Sequence, residues 1–243
     1  MSTGSSLPYR LRPNKAVDRE LFLSLLMRLT PTLGLERYHY VGLGGPFLED
    51  FRLIHARLGL AKMTCLEVEE EVHKRQIFNR PIESIDCLHS TLEDFLDEHD
   101  FDTPAIIWFD YTEPRGITGQ IERFAQTIGT VPIGSVLRVT LNANPASLGT
   151  PNPKDLSVEV AGEASADRAL KPTIQEWRLA RFKERLGGLF PSGLSADGMS
   201  FKTYGLSLLR ALKLAVENEA LSFRDRRIVW AFATHYADGQ AMV

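Results

Sequence analysis

The sequence predicts an α/β fold, a Rossmann-like doubly wound sheet that is mostly parallel and ends in an antiparallel hairpin. Short segments rich in β-branched and aromatic residues alternate with amphipathic ones over residues 38–144, and the connections between them are short. This alternation favours parallel strands joined by right-handed crossovers. The run "AIIWF" at residues 105–109 is apolar throughout, which is typical of a strand buried on both faces of a sheet.

An amphipathic helix precedes the first strand. Between "RPNK" and "TPTLG" the apolar residues recur at helical spacing, which predicts one buried stripe made of Val17, Leu21, Phe22, Leu25, Leu26 and Leu29. We expect this helix to pack on the sheet as an N-terminal cap covering residues 1–36.

Five strands and four helices then alternate. The predicted strands are "RYHYVGLG", "KMTCLEV", "SIDCLH", "AIIWFDY" and "GSVLRVTLNA". The predicted helices are "PFLEDFRLIHARLG", "EEEVHKRQIFN", "STLEDFLDEH" and "ITGQIERFAQTIG". Pro46 in the first turn and Gly59 just past the end agree with the preferences of helix termini.

After Asn144 the pattern changes within what we predict to be a single domain spanning residues 1–243. Residues 145–222 form an insertion: a Pro-, Gly- and Ser-rich excursion to residue 172, followed by two helices that we expect on the acceptor side. Thr173 and Glu176 have capping-box spacing at the first of these helices. The final segment "RRIVWAFATHYADGQAMV" predicts two strands around an Asp-Gly turn, giving a sheet of seven strands.

The composition restricts the class of partner. With 28 Lys and Arg against 31 Asp and Glu, the net charge of −3 gives no general attraction to nucleic acid or to a membrane surface. One basic helix at residues 178–185 keeps an anionic or nucleic-acid acceptor open as an alternative to a solvated face. No apolar run approaches the length of a membrane span. Two cysteines, Cys65 and Cys87, in predicted strands favour a reduced cytoplasmic protein over a disulfide framework.

A glycine-rich turn follows the first predicted strand, in "YHYVGLGGPFLEDF". Ligands of open parallel sheets collect at the carboxyl ends of the strands, and glycines there let the backbone approach a ligand. The candidates are Gly42, Gly44 and Gly45. The dinucleotide fingerprint G-x-G-x-x-G requires glycine where Phe47 stands, which argues against an NAD(P) site.

Polar side chains stand at the ends of the next strands. Glu67 ends the second strand, where a carboxylate can accept both hydroxyls of a ribose. The pair Ser90–Thr91 follows the third strand, with Asp94 nearby. Asp110 ends the most apolar strand, where a carboxylate is costly to bury unless it has a partner.

In these features the sequence resembles the class I S-adenosylmethionine-dependent methyltransferases, as a divergent O-methyltransferase-like member. The resemblance covers residues 38–144 and returns at 228–243. It implies the methyltransferase type of sheet, S-adenosylmethionine as cofactor, and methyl transfer to an oxygen or nitrogen acceptor of unknown identity. It also implies that Gly42, Gly44 and Gly45 face the methionine half of the cofactor and Glu67 the ribose. Ser90 and Thr91 would border the adenine, with Asp110 and Tyr111 beside the transferring methyl as catalytic residues.

Other interpretations remain open for several of these residues. Tyr40 and Pro46 depart from the family pattern, so the alternative is a non-catalytic or regulatory cofactor-binding module, and an NAD(P)-dependent oxidoreductase ranks third. Ser90 and Glu93 have capping-box spacing, for which helix capping is a full explanation. Asn142 and Asn144 would turn or cap the chain; with Asp110 they could also offer oxygen ligands to Mg²⁺. Because that set has one firm carboxylate, we predict no metal site.

Overall fold

The computed structural model describes residues 12–152, 172–238 and 241–242. The strands of the main sheet are β1 (His39–Leu43), β2 (Lys62–Glu67), β3 (Ile85–His89), β4 (Ala105–Asp110) and β5 (Val136–Thr140). The helices are α1 (Pro13–Leu33), α2 (Glu49–Leu58), α3 (Glu70–Asn79), α4 (Leu92–Glu98), α5 (Ile117–Thr130), α6 (Ile174–Leu186) and α7 (Tyr204–Ala220). Two short strands follow, β6 (Ala237–Asp238) and β7 (Ala241–Met242).

The main sheet has the order β3-β2-β1-β4-β5, and every neighbouring pair in it is parallel. The chain builds outward from β1 to β3, then returns to the other side of β1 for β4 and β5. The strand order therefore reverses at β1 and β4, which is the position where open α/β sheets bind their ligands. The predicted doubly wound α/β fold is confirmed.

Helices cover both faces of this sheet. On one face, α1 and α2 pack on alternate side chains of the strands, including Tyr40, Cys65 and Trp108. On the other face, α5 and α7 pack on the intervening side chains, including Val41 and Phe109. Burial on both faces explains why β4 is apolar at every position before its last residue.

Helix α1 presents a different face to the core from the one predicted. Val17 and Leu21 are 60% and 50% exposed, although we assigned both to the buried stripe. The residues that α1 buries are Lys15, Asp18, Arg19, Phe22, Leu23 and Leu26. The buried stripe is thus charged in its first half and apolar in its second, because the charged side chains pair with residues on β4, β5 and α2.

The expected C-terminal hairpin is not confirmed as part of the sheet. Residues 224–236 form no strand, and β6 and β7 pair antiparallel as a separate two-stranded unit. In the part of the chain that the structure describes, the main sheet therefore has five strands instead of seven, and β5 is an edge strand. A groove of about 760 Å³ lies between β5, α1, α7 and the exposed segment 227–236.

Three smaller features of the helices concern Pro46, the start of α6 and Phe201. Pro46 lies in the turn before α2, which begins only at Glu49. Thr173 and Glu176 form the predicted capping box of α6. Phe201 lies before α7 and is 49% exposed. Most of the predicted excursion, at residues 153–171, lies outside the described residues.

The sequence led us to expect reduced cysteines and no membrane span. Cys65 and Cys87 stand opposite one another on β2 and β3, and both are free thiols. Burial raises the pKa of the Cys65 thiol well above its ordinary value. Among the described helices, none has the length and hydropathy needed to span a bilayer.

Candidate functional site

The parallel register brings Glu67 and Asp110 to the same end of the sheet, on either side of β1. Glu67 is the last residue of β2 and Asp110 the last residue of β4. Gly42 pairs with Cys65 on one side and with Trp108 on the other, so both carboxylates are level with Gly44. Two strand spacings separate them, about 10 Å between backbones. The carboxylates therefore flank the glycine turn.

The glycines of the turn are needed for close packing. None of Gly42, Gly44 and Gly45 has left-handed backbone geometry. A Cβ on Gly44 would lie 2.7 Å from the Cys65 Sγ, and one on Gly42 would lie 3.0 Å from the Tyr40 hydroxyl. Packing alone therefore accounts for Gly42 and Gly44, which are buried, whereas Gly45 is half-exposed. Contact of these glycines with a cofactor stays a prediction.

Glu67 folds its carboxylate back onto the start of α3. Its Oε1 accepts hydrogen bonds from the backbone N–H groups of Val68 at 2.8 Å and Glu69 at 2.9 Å. The Oε2 atom has no hydrogen-bond partner among the described residues, and the side chain is half-exposed. One oxygen is thus held in place by the backbone while the other is free to accept a hydrogen bond from a ligand.

The polar residues after β3 are used mainly to begin α4. Thr91, one residue later than predicted, is the N-cap: its hydroxyl accepts from the Asp94 N–H at 2.9 Å and donates to the Asp94 carboxylate at 2.6 Å. The Ser90 hydroxyl donates to the Thr91 carbonyl at 3.2 Å. The Ser90 N–H donates to the Glu67 carbonyl at 3.1 Å, which ties the ends of β2 and β3 together.

Asp110 is paired with a lysine from the N-terminal helix. The Lys15 Nζ lies 3.3 Å from the Asp110 Oδ2, and the two side chains are 8% and 17% exposed. The other oxygen, Oδ1, is buried without a hydrogen-bond partner in the described residues. The first turn of α1 thus places Lys15 against the carboxylate that ends the fourth strand.

Two further buried ion pairs join α1 to the same end of the sheet. Arg19 pairs with Asp50 in the first turn of α2, and Asp18 pairs with Arg138 on β5. The Arg138 guanidinium also stacks on the Trp108 ring, 3.8 Å from its centroid. With Lys15 and Asp110, the charge-pair cluster contains three cations and three carboxylates. Its formal charge is zero, which allows the group to be buried.

The Tyr40 hydroxyl lies within this cluster. It is fully buried and has no hydrogen-bond partner among the described residues. Burial raises the pKa of the Tyr40 phenol well above its ordinary value, and the nearby Asp50 carboxylate adds to the effect. Burial likewise raises the pKa of Asp50, against the opposing charge of Arg19. The Tyr40 phenol is therefore neutral, and its hydroxyl donates to no described residue of the cluster.

Tyr111 points its hydroxyl to a different neighbour. The hydroxyl donates to the Glu93 Oε1 of α4 at 2.9 Å. Burial raises the pKa of the Tyr111 phenol, and the adjacent Glu93 charge raises it further. The phenol is thus held protonated and already engaged, which favours a role in shaping the site over one in moving a proton.

The remaining polar candidates have structural partners. The Asn144 side chain accepts from the Ala146 N–H at 2.9 Å, and the Asn142 amide donates to the Thr112 carbonyl at 3.2 Å. Within the described residues no group of three or more His, Cys, Asp or Glu could hold a metal ion. On the basic helix, Arg178 is buried and Arg181 pairs with Glu184 at 2.5 Å.

Sequence reasoning missed two charged residues of α1, Asp18 and Arg19, and their partners Arg138 and Asp50. Lys15, Asp18 and Arg19 lie at helical spacing before Phe22 and Leu26, so they share one face with the apolar stripe. That spacing was the available signal, since a charged extension of a buried stripe requires partners on the facing strands. Gln76 and Asn79 on α3, which contact the glycine turn, carried no comparable signal.

Comparisons with known proteins agree with the sequence resemblance. A family model described as "Putative O-methyltransferase" matches residues 7–243. No curated protein matches the chain. A solved plantazolicin methyltransferase, BamL, in complex with a triazolic desmethylPZN analog and SAH, is 15% identical at a TM-score of 0.41, covering 86% of this chain and 79% of that one. A "putative sarcosine dimethylglycine methyltransferase" from Galdieria sulphuraria is 12% identical at a TM-score of 0.39, covering 85% and 82%.

Proposed function

Because the chain belongs to the family described as "Putative O-methyltransferase" over residues 7–243, we propose that it transfers the methyl group of S-adenosylmethionine to an oxygen acceptor. The observation that carries the proposal is the placement of Glu67 and Asp110 in register on either side of the glycine turn, at the reversal of strand order. A nitrogen acceptor is the second choice within the same chemistry.

The residues at this edge fit the groups of the cofactor. The free Oε2 of Glu67 is placed to accept a hydrogen bond from a ribose hydroxyl, while its Oε1 is fixed by two backbone donors. Ser90 and Thr91, tied to the end of β2, would border the base. Gly45 is the half-exposed glycine of the turn and would lie nearest the methionine half. The unpartnered Oδ1 of Asp110 leaves a buried acceptor that a bound molecule can satisfy.

The cofactor's sulfonium makes its methyl group electrophilic without further activation. The protein's task is then to align the acceptor with the methyl and to keep water out. We assign Asp110 to orienting the acceptor hydroxyl and accepting its proton. Lys15 keeps the Asp110 carboxylate in position, and Tyr111 shapes the wall beside it.

Titration calorimetry with S-adenosylmethionine and S-adenosylhomocysteine tests the proposal directly. We expect micromolar binding by the wild-type protein and a loss of about tenfold or more in Glu67→Ala, because the hydrogen bond from a ribose hydroxyl to a charged acceptor disappears. Glu69→Ala is the matched control, since Glu69 is an exposed carboxylate two residues away. No binding by the folded wild type, or binding of NAD(P) instead, contradicts the proposal.

Two further points complete the proposal. We place the reaction in the cytoplasm, which the two free cysteines on adjacent strands support. A protein that binds S-adenosylhomocysteine normally but transfers no methyl group to any acceptor would favour the non-catalytic cofactor-binding module instead.

A further inference from the structure

Two side chains of α3 donate hydrogen bonds to backbone carbonyls of the glycine turn. The Gln76 side-chain amide donates to the Gly44 carbonyl. One turn further along the helix, the Asn79 amide donates to the Pro46 carbonyl at 2.8 Å. Asn79 is itself tied to α2, because the Arg52 guanidinium donates to its backbone carbonyl at 2.7 Å. Two alternate peptide groups of the turn, Gly44–Gly45 and Pro46–Phe47, are therefore oriented by the same helix.

This orientation determines where the next backbone amides point. In a planar trans peptide the carbonyl and the following N–H lie on opposite sides. If the Gly44 and Pro46 carbonyls point to α3, the N–H groups of Gly45 and Phe47 point away from it. Neither N–H makes a hydrogen bond within the described residues. The exposure agrees, because Gly44 and Pro46 are buried whereas Gly45 is half-exposed and Phe47 exposed.

The exit from the turn is also fixed. Leu48 has a φ of 53°, the only left-handed non-glycine backbone among the described residues, and its side chain is fully buried. A left-handed leucine costs about 1 kcal/mol, which its burial in the core offsets. The conformation of the turn is thus imposed by its surroundings instead of being allowed by flexible glycines.

Gln76 occupies its position at a cost in stability. It is fully buried, and its Oε1 has no hydrogen-bond partner among the described residues. A buried carbonyl without a hydrogen-bond partner is unfavourable, whereas the amide of the same side chain satisfies the Gly44 carbonyl. The side chain is better explained by what its amide does to the turn.

We propose that Gln76 and Asn79 are positioning residues, which aim the Gly45 and Phe47 N–H groups as a pair of donors at the carboxylate of the cofactor's amino-acid end. This inference rests on the proposed function. Adjacent backbone donors on one side of a turn form a concave site for an anion. Pro46 also fits this arrangement. It has no N–H group to donate, and the hydrogen bond from Asn79 to its carbonyl orients the peptide group that carries the Phe47 N–H.

The test compares two ligands that differ at the relevant end. S-Adenosylhomocysteine carries the amino-acid carboxylate, whereas 5′-methylthioadenosine keeps the nucleoside and the thioether without it. In Gln76→Met, which preserves side-chain length and removes the donor, we expect affinity for S-adenosylhomocysteine to fall about tenfold, as for loss of one charged hydrogen bond. Affinity for 5′-methylthioadenosine should change less than about twofold.

Two more variants complete the design. Phe78→Ala is the matched control, because Phe78 is on the same helix and 89% exposed, and it should change neither affinity. Asn79→Ala, at a half-buried position, should repeat the split between ligands at about threefold if Gln76→Met fails to fold. Equal weakening of both ligands, or no change in either, overturns the positioning role. Wild-type protein that binds neither ligand overturns the proposed function itself.

Discussion

The two faces of the sheet are buried by different chemistry. The face under α5 and α7 is filled by apolar side chains around Phe109 and Ile121. The face under α1 is apolar near the amino ends of the strands, but near their carboxyl ends it holds the charge-pair cluster. Charges are thus concentrated where the candidate site lies. The apolar face can be explained by stability alone, whereas the charged one favours a role in positioning Asp110 and the glycine turn.

The largest effect on the free energy of unfolding is expected from removing one partner of a buried ion pair on the charged face. Arg19→Met leaves Asp50 buried without that guanidinium, so the free energy of unfolding should fall by about 4 kcal/mol. Urea unfolding at neutral pH measures the change. The double variant Arg19→Met/Asp50→Leu should recover most of the loss, because apolar side chains can replace a buried pair. A single variant as stable as wild type would show that the pair contributes nothing.

On the apolar face, removing a buried side chain should also lower the free energy of unfolding, but we expect no second substitution to restore it. Ile121→Ala, at a fully buried position, should lower the free energy of unfolding by about 3 kcal/mol through lost burial and a cavity. The same urea measurement applies, and S-adenosylhomocysteine affinity serves as the control because Ile121 packs on the face of the sheet opposite the charge-pair cluster. A large drop in that affinity would break the distinction between the faces.

A smaller effect on stability is expected from His39, whose imidazole is buried in the apolar face. His39 is 2% exposed and bonded to the Thr64 hydroxyl at 2.8 Å. Burial, with smaller effects from Lys62 and His99, lowers the pKa of His39 to about 3. The unfolded chain therefore takes up a proton first, near the ordinary pKa of about 6.5. Stability from this group is full above that pH and is lost as the pH falls towards 3.

His39→Gln isolates this contribution, because glutamine can still bond to Thr64 but does not titrate. Between pH 7 and pH 4, as measured by urea unfolding, the variant should lose less stability than the wild type. Carboxyl groups are common to both proteins and cancel in the difference. Parallel profiles would show that the buried His39 takes up its proton as easily as it does in the unfolded chain.

The sequence predicted those parts of the molecule that local pattern determines. Strand and helix alternate as expected over residues 38–144, because period, capping and glycine signals act within a few residues. The sequence analysis was wrong where the structure depends on residues that are distant along the chain. The buried face of α1 depends on Asp50, Asp110 and Arg138, which lie far along the chain. The register of Glu67 with Asp110 was predictable because each residue ends a parallel strand of the same sheet, whereas the hydrogen bond from Gln76 to Gly44 was not.

The outer edge of β5 has a consequence for how molecules of this protein meet one another. Its main-chain hydrogen-bonding groups face no other described strand, and such an edge is a template on which a second polypeptide can add a strand and begin to aggregate. Arg138 stands in the middle of β5 with its guanidinium turned inward onto Trp108 and Asp18. An inward-facing charge is one of the ways in which edge strands resist such pairing. The residue that pairs with the N-terminal helix therefore also helps to protect this edge from pairing with a second chain.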